Sequence, residues 1–540
     1  MAAGGTPAPR LPPMSPVAAK TMTLAPTRSR RRALVVALAL CALLAAGVAL
    51  LGGPAAGAAK RSSRLAKEPK RPNVVLIMTD DQALGTLRRE VMPQVYEKLI
   101  GRGTTFSDYV VTTPLCCPSR ATLLSGQYGH NNGVLRNFYP DLKSKRNVLP
   151  AWLQNAGYNT AHVGKFLNAF EQDKGGPAAV APGWDRWFTE LEPRRYYRWK
   201  ASLNGRVRHY GYANGDHATK VMTETATRWT AELAHKDDPF YMQLDYYAPH
   251  TAPGRDKRCA GSAVPEPQDE HRFDGYPLPR PPSFNEEDVS DKPAAVRSQA
   301  PLDDATIESI ERRYRCALES LYGVDRGIGD VIRTVKDAGE LNRTVFIFAS
   351  DNGFFYGEHR IPKGKNQPYE ENIHMPLTIV VPPAFRDTGE VVSRSGAPVA
   401  NIDLAPTILN LAKADPCRAK NRCRTLDGRS LMPLIEGKGT FPDPRPIGLE
   451  IGDCTYRGAR FQHRVYFEYA NPTAEGCAAD AIEHYDLAQD PFQLHNLDSA
   501  DTGSADGAAG RKLHRLTYKL RDCAGIRGRD PRPPSGHFCR

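Results

Sequence analysis

Residues 72–82 read PNVVLIMTDDQ: a proline, an apolar run from Val74 to Met78, then a threonine and two carboxylates, Asp80 and Asp81. A run this short, β-branched and continuous rather than alternating predicts a strand buried on both faces, as in a parallel sheet covered by helices. Three further runs share that form. YNTAHVGKF (158–166) ends at Lys165, DPFYMQLDYYAPHTAP (238–253) runs on to His250, and RTVFIFASDNG (343–353) ends at Asp351 and Asn352. Ahead of the last lies TIESIERRYRCALESLYGVDRGIGDVIRTVKDAGEL (306–341), a long helical pattern. Strands alternating with helices define an α/β fold. In such sheets ligands bind outside the carboxyl ends of the strands, and here four strands carry polar groups to that edge.

Each of these residues also has an ordinary structural reading. Asp-Asp after a strand suits a helix N-cap, and Asp-Asn-Gly suits a turn. Lys165 alone reads as a surface lysine and His250 as a loop histidine. Convergence favours chemistry instead. Asp80/Asp81 and Asp351/Asn352 are two pairs of hard oxygen donors, suited to Ca²⁺ or Mg²⁺. The lack of His or Cys in these pairs speaks against structural zinc. A cation with a lysine, a histidine and Arg120 describes a pocket for a tetrahedral anion.

The net charge of +12 over 540 residues invites a polyanion-binding reading, but the charge lies at one end. Residues 1–59 hold six Lys or Arg and no acid, and KRSSRLAKEPKRP (60–72) holds six against one, leaving 73–540 at +1. Net charge therefore supports no nucleic-acid partner. In the leader, Arg28 and Arg30–Arg32 precede ALVVALALCALLAAGVALL and then GGPAAGAAK. This order predicts an export signal cleaved near Ala58 or Ala59. Ser29-Arg30-Arg31 also resembles a twin-arginine signal, and uncleaved the run is long enough to anchor the chain in a membrane. Export implies an oxidising compartment. Of eleven cysteines, Cys41 falls in the leader. Cys417/Cys423, Cys454/Cys477 and Cys523/Cys539 are local pairing candidates and Cys259/Cys316 a looser one, which leaves the adjacent Cys116 and Cys117.

Vicinal cysteines are poorly placed to bridge each other. Pro118 suits a first helical turn, RATLLSGQ continues it and Gly126 can end it, so Cys116 is expected at or just before a helix N-terminus, where an anion is favoured. Leu115-Cys116-Cys117-Pro118-Ser119-Arg120 resembles the L-C-x-P-S-R signature of type I sulfatases, whose first cysteine is oxidised enzymatically to formylglycine. The resemblance extends over essentially all of the chain after the leader. It implies metal ligands at Asp80, Asp81, Asp351, Asn352 and modified Cys116. It also implies active-site basic groups at Arg120, Lys165, His250 in APHTAP, and Lys365 in KGKNQPYEENIHMPL. Lys363 competes for the last role, but the spacing to Tyr369-Glu370 favours Lys365. EHYDLAQDPFQLHNL (483–497) is similar to the family's closing E-x-Y-D-L element.

The implied fold is alkaline-phosphatase-like: a mixed sheet sandwiched by helices, then a smaller C-terminal α+β subdomain with an antiparallel sheet. The expected division is a leader at 1–59, a linker at 60–72, a catalytic domain at 73–440 and a C-terminal subdomain at 441–540. The implied chemistry uses a hydrated aldehyde at Cys116, with a cation lowering the pKa of one hydroxyl. Arg120, Lys165 and Lys365 would stabilise the sulfuryl oxygens, and His250 would protonate the leaving alcohol. The second hydroxyl offers an exit that serine or an unmodified thiol lacks. RRYYRWKASLNGRVRHYG, GKFLNAF and VANIDLAPTILNLA are most similar to N-acetylglucosamine-6-sulfatases and extracellular heparan endosulfatases. That likeness implies a sulfated sugar or aryl sulfate as substrate and a formylglycine-generating enzyme as maturation partner. A broad arylsulfatase, a phosphate or phosphonate monoester hydrolase, and a noncatalytic glycan-binding relative are the alternatives.

Overall fold

β1 (Asn73–Thr79) forms where the apolar run predicts it, and all seven of its residues are buried. Its side chains alternate between two cores: Val74, Leu76 and Met78 face one, Val75 and Ile77 the other. Burying each such side chain stabilises the fold by roughly 1.5–3 kcal/mol, so a polar residue at any of these positions is costly. The computed structural model describes residues 71–539, apart from 254–257, 389–391, 439–440, 442–444, 453–454, 471–478 and 499–506.

Ten strands form the main sheet, in the order β11 (Arg394–Ser395), β2 (Thr104–Phe106), β10 (Leu377–Val380), β9 (Thr344–Ser350), β1, β8 (Phe240–Asp245), β4 (Asn159–Gly164), β5 (Arg186–Leu191), β6 (Lys200–Leu203) and β7 (Arg206–His209). The five strands from β9 to β5 are parallel. Antiparallel partners flank them: β10 on one side, and the β6–β7 pair on the other. Asn204 and Gly205, both at positive φ, make the two-residue turn of that last hairpin. A short pair, β3 (Tyr109–Val110) with β12 (Val399–Ala400), lies beside the sheet.

The helices Ala218–Ala234 and Asp304–Asp337 pack on the Val75/Ile77 face. The helices Cys116–Ser125, Leu149–Asn155 and Leu404–Ala412 pack on the other. The Asp304–Asp337 helix starts at Asp303, whose carboxylate accepts a hydrogen bond from the Thr306 N–H at 2.8 Å. Toward the C-terminus a separate antiparallel sheet runs β13 (Ile447–Ile451), β14 (Tyr456–Phe461), β15 (Arg464–Ala470), β16 (Ala479–Asp486), with the Gly507–Leu520 helix against it.

Cys259–Cys316, Cys417–Cys423 and Cys523–Cys539 are disulfides, while Cys116 and Cys117 are free and buried. The expected Cys454/Cys477 pair and the leader lie outside the described residues. Among the described residues no helix is long and apolar enough to cross a membrane.

Candidate active site

Strand register assembles the site. Met78 of β1 lies opposite Asp245 of β8 and Ala349 of β9, and Gly164 of β4 is opposite Asp245 on its other side. The segments leaving β1, β4, β8 and β9 therefore emerge at one edge. Gly164 is required there: its φ is +115°, and a Cβ would sit 1.9 Å from the Asp245 carbonyl oxygen. That close approach lets the Lys165 N–H donate to the same carbonyl at 2.8 Å. Asp81 also holds a left-handed φ of 64°, costly for a non-glycine residue and typical of functional sites. Its N–H donates to Asp351 Oδ1 at 3.1 Å.

Cys116 is the first residue of the Cys116–Ser125 helix, Pro118 falls in its first turn, and Gly126 closes it at φ 64°. Cys116 Sγ lies 3.4 Å from Asp80 Oδ1 and 3.9 Å from Asp81 Oδ1, and Lys365 Nζ donates to it at 2.7 Å. Lys365 also pairs with Asp81, and Lys165 with Asp80. Lys363 is exposed, so the sequence spacing selected the lysine that reaches the site. Burial, with the Asp80 carboxylate, pushes the Cys116 thiol up to about 12, which leaves an unmodified Cys116 a poor nucleophile. Burial pushes Cys117 equally, and its Sγ lies 3.9 Å from the Asn168 carbonyl oxygen.

Arg120 is fully buried and ties the carboxylates together. Its Nε donates to Asp351 Oδ2 at 2.8 Å and its Nη1 to the Lys165 carbonyl at 2.8 Å, while Asp245 and Asp80 lie at 3.6 and 3.9 Å. Asn352 Nδ2 donates to Asp81 Oδ1 at 2.7 Å, and Asn352 Oδ1 is a buried acceptor without a partner among the described residues. His250 directs Nε2 toward Asp81 Oδ2 at 3.6 Å, and its Nδ1 lies 2.6 Å from the Thr251 carbonyl. Burial lowers the His250 pKa against the opposing pull of Asp81 and Asp80, favouring neutral imidazole. Burial works against the Asp81 carboxylate as well, but Lys365 and His250 bring its pKa below the usual value. Asp80, Asp81, Cys116 and His250 offer ligand atoms that all lie within 4.8 Å of one another. All nine residues singled out from the sequence thus meet at this edge.

Several neighbours escaped the sequence reading. Asp245 accepts from Gln243 Nε2 at 2.8 Å and lies 3.1 Å from His162 Nε2. It closes the β8 run, where it reads as one more strand residue. Glu190 in β5 is buried without a hydrogen-bond partner among the described residues, and burial lifts its carboxyl to about 8 against the pull of Arg194 and Lys165. Tyr196 donates to the His250 carbonyl at 2.9 Å, and Tyr247 stacks on the His250 ring at 4.9 Å. The aromatic segment EPRRYYRWK therefore supports the histidine loop.

The loop bearing Lys365 is held from the C-terminal sheet. Arg460 of β14 pairs with Glu370 and donates to Asp108 at 2.7 Å; the Glu370 N–H donates to Gln493 Oε1 at 2.8 Å. Tyr369 donates to Glu483 at 2.8 Å, and Tyr485 donates to the same carboxylate at 2.5 Å. Glu483, Tyr485 and Gln493 belong to the closing E-x-Y-D-L segment, so that element braces the Lys365 loop.

A carboxyl-edge site on a mixed sheet with a separate C-terminal antiparallel sheet is the alkaline-phosphatase-like fold. The Sulfatase family model matches residues 72–414, and the chain belongs to the sulfatase family, the hydrolases of sulfuric esters. It is 31% identical to human N-acetylglucosamine-6-sulfatase over 507 residues, 86% of each chain. To an arylsulfatase of Chlamydomonas reinhardtii it is 31% identical over 522 residues, 87% of this chain and 77% of the relative. A solved structure in complex with its substrate D-glucosamine-2-N,6-O-disulfate superposes with a TM-score of 0.66 at 23% identity, covering 83% of this chain and 97% of that one.

Proposed function

We propose that this sulfatase removes the 6-O-sulfate of N-acetylglucosamine from glycosaminoglycan-type glycans, using a formylglycine made from Cys116 and one bound Ca²⁺. The observation that carries this reading is the placement of Cys116 Sγ at a helix N-terminus, against Asp80, Asp81 and Lys365. The donor set fits a hard cation: Asp80, Asp81, Asp351 and Asn352 offer only oxygen, and Asn352 Oδ1 is a buried acceptor left without a partner among the described residues. Together with the modified residue 116 they would hold the ion, and Mg²⁺ is the alternative occupant. The formylglycine hydrate would supply the attacking hydroxyl, and the cation would make it more acidic.

The chain's own residues do the rest. Arg120 holds Asp351 and Asp80 in place, while Lys165 and Lys365 present ammonium groups to the sulfuryl oxygens. His250 offers Nε2 toward the leaving oxygen while Nδ1–H donates to the Thr251 carbonyl. Since burial depresses its pKa, proton donation is favoured on the acid side of neutrality. The name of the human relative and the glucosamine disulfate of the solved structure support the sugar assignment.

In this reading residues 1–59 export the chain and a formylglycine-generating enzyme matures it. Residues 73–440 form the catalytic domain and 441–540 the subdomain that braces it. Equal identity to an algal arylsulfatase favours one second reading, a sulfatase of broad aryl specificity.

The test joins mass spectrometry of the peptide containing Cys116 with rates on glucosamine 6-sulfate, galactose 6-sulfate, a 2-O-sulfated uronic acid, a nitrophenyl sulfate and a nitrophenyl phosphate. We expect an aldehyde at residue 116 and fastest cleavage of glucosamine 6-sulfate. An unmodified thiol in active enzyme would overturn the nucleophile. An aryl ester cleaved far faster than every sugar would overturn the glycan assignment.

A further inference from the structure

Two basic segments remote in the chain meet on the flank of the Leu149–Asn155 helix. One is LKSKRN (142–147), the other PCRAKNRCR (416–424). The Cys417–Cys423 disulfide pins the second into a tight loop, inside which the Arg418 N–H donates to the Arg422 carbonyl at 3.2 Å. Asn155 Nδ2 donates to the Cys417 and Arg418 carbonyls at 3.2 and 3.1 Å, and Asn147 Nδ2 to the Arg422 carbonyl at 3.3 Å. The buried Arg424 crosses from one segment to the other, donating to the Lys143 and Ser144 carbonyls at 2.5 and 3.2 Å. The backbone of the loop is thus turned inward and its cationic side chains outward.

Lys143, Arg146, Arg418, Lys420 and Arg422 are exposed, and none has a carboxylate partner among the described residues. Lys145 alone is neutralised, by Asp173 at 2.9 Å. A groove of about 470 Å³ runs between the segments, lined chiefly by Ser144, Lys145, Arg146, Asn147, Arg418 and Arg422. Residues 73–540 carry a net charge of only +1, so this concentration of unpaired cations is local. None of these residues belongs to the catalytic cluster.

We propose that this groove is a second binding site for a sulfated glycan chain, separate from the sulfate-ester centre. Several exposed cations without counter-ions suit a polymer with repeated anionic groups better than one small anion. Arginines in particular suit the forked oxygens of sulfate. The lining has no aromatic ring on which a base could stack, which favours a glycan over single-stranded nucleic acid. Holding the polymer here raises the local concentration of its sulfate esters at the catalytic centre. The identity of the polymer rests on the glycan reading above; the anion site itself does not.

The test uses the mature enzyme and its Arg146→Gln/Arg418→Gln/Arg422→Gln variant on immobilised heparin, at two salt concentrations, beside hydrolysis of a monosaccharide sulfate. The expected result is about tenfold weaker heparin binding with a shallower salt dependence. Monosaccharide hydrolysis should stay within about twofold. An Arg422→Lys variant, which keeps the charge but not the planar fork, should lose less heparin affinity than Arg422→Gln while still binding more weakly than the parent. Unchanged heparin binding in the triple variant overturns the proposal, as does an equal loss of monosaccharide hydrolysis. Duplex DNA bound as tightly as heparin overturns the glycan assignment. Failure of the parent enzyme to cleave any sugar sulfate would instead refute the function proposed above and leave the heparin comparison to decide the groove.

Discussion

Replacing Arg460 with methionine tests whether the C-terminal sheet positions the catalytic lysine loop. Arg460 is nearly buried, with 7% of its side chain exposed, and it pairs with Glu370 and Asp108. Burial alone would raise the Glu370 carboxyl, yet Arg460, with help from His374, holds it down at about 2. Set against the ordinary value of 4.5, that depression corresponds to about 3 kcal/mol of preference for the charged form. Breaking a buried pair by removing one partner costs a similar 3–5 kcal/mol or so, because the remaining charge is uncompensated. Arg460→Met should therefore lose about 3 kcal/mol in urea denaturation at neutral pH.

The sign of the pH dependence follows from the depressed carboxyl. Its contribution is present above 4.5 and is lost as the pH falls toward about 2, so the gap between parent and variant should close in acid. Adding Glu370→Gln to the variant should restore part of the loss, because the buried Glu370 charge is then no longer left unpaired. Lys365 lies five residues before Glu370, so kcat should fall more than KM rises once the loop loosens. A loss below about 1 kcal/mol, or no recovery on adding Glu370→Gln, would refute the bracing argument.

Cys116→Ala and Cys116→Ser should abolish multiple-turnover sulfatase activity while Cys117→Ala keeps most of it, measured as turnover of one sulfate ester; equal loss from folded Cys116 and Cys117 variants would misplace the nucleophile. Chelation should lower thermal stability and activity, and Ca²⁺ added back at about a hundred times its Kd should restore about 2.7 kcal/mol, with elemental analysis finding one calcium per chain. Stoichiometric zinc would refute that donor assignment. His359 lies 2.6 Å from Glu286 and 3.7 Å from Glu371; burial would lower its pKa, but these carboxylates raise it to about 9. Its stabilising contribution, up to about 3 kcal/mol, is complete below the ordinary 6.5 and lost as the pH rises through about 9. Denaturation midpoints measured across that window should fall in the parent and fall less in His359→Gln.

Sequence alone determined the four strands that carry the site, their polar ends and the helix that starts at Cys116, because each depends on short-range rules. An apolar run too short for a helix must be a buried strand, and a proline followed by a glycine-terminated helical run sets both helix ends. In a parallel sheet, strand ends must share an edge, so Asp80, Lys165, His250 and Asp351 could be grouped before any coordinates. Tertiary structure alone decided what surrounds them. Asp245 reads as an ordinary strand residue until Arg120, from a different element, lies 3.6 Å away. Arg460 and Glu370 are 90 residues apart and meet only because the C-terminal sheet folds back on the lysine loop. The basic groove was invisible for the same reason: net charge is a sum over the chain, whereas binding depends on where charges lie. Two modest basic segments, about 275 residues apart, become one site only when the Asn147 amide and the Arg424 guanidinium tie them together, the disulfide shaping one of the two.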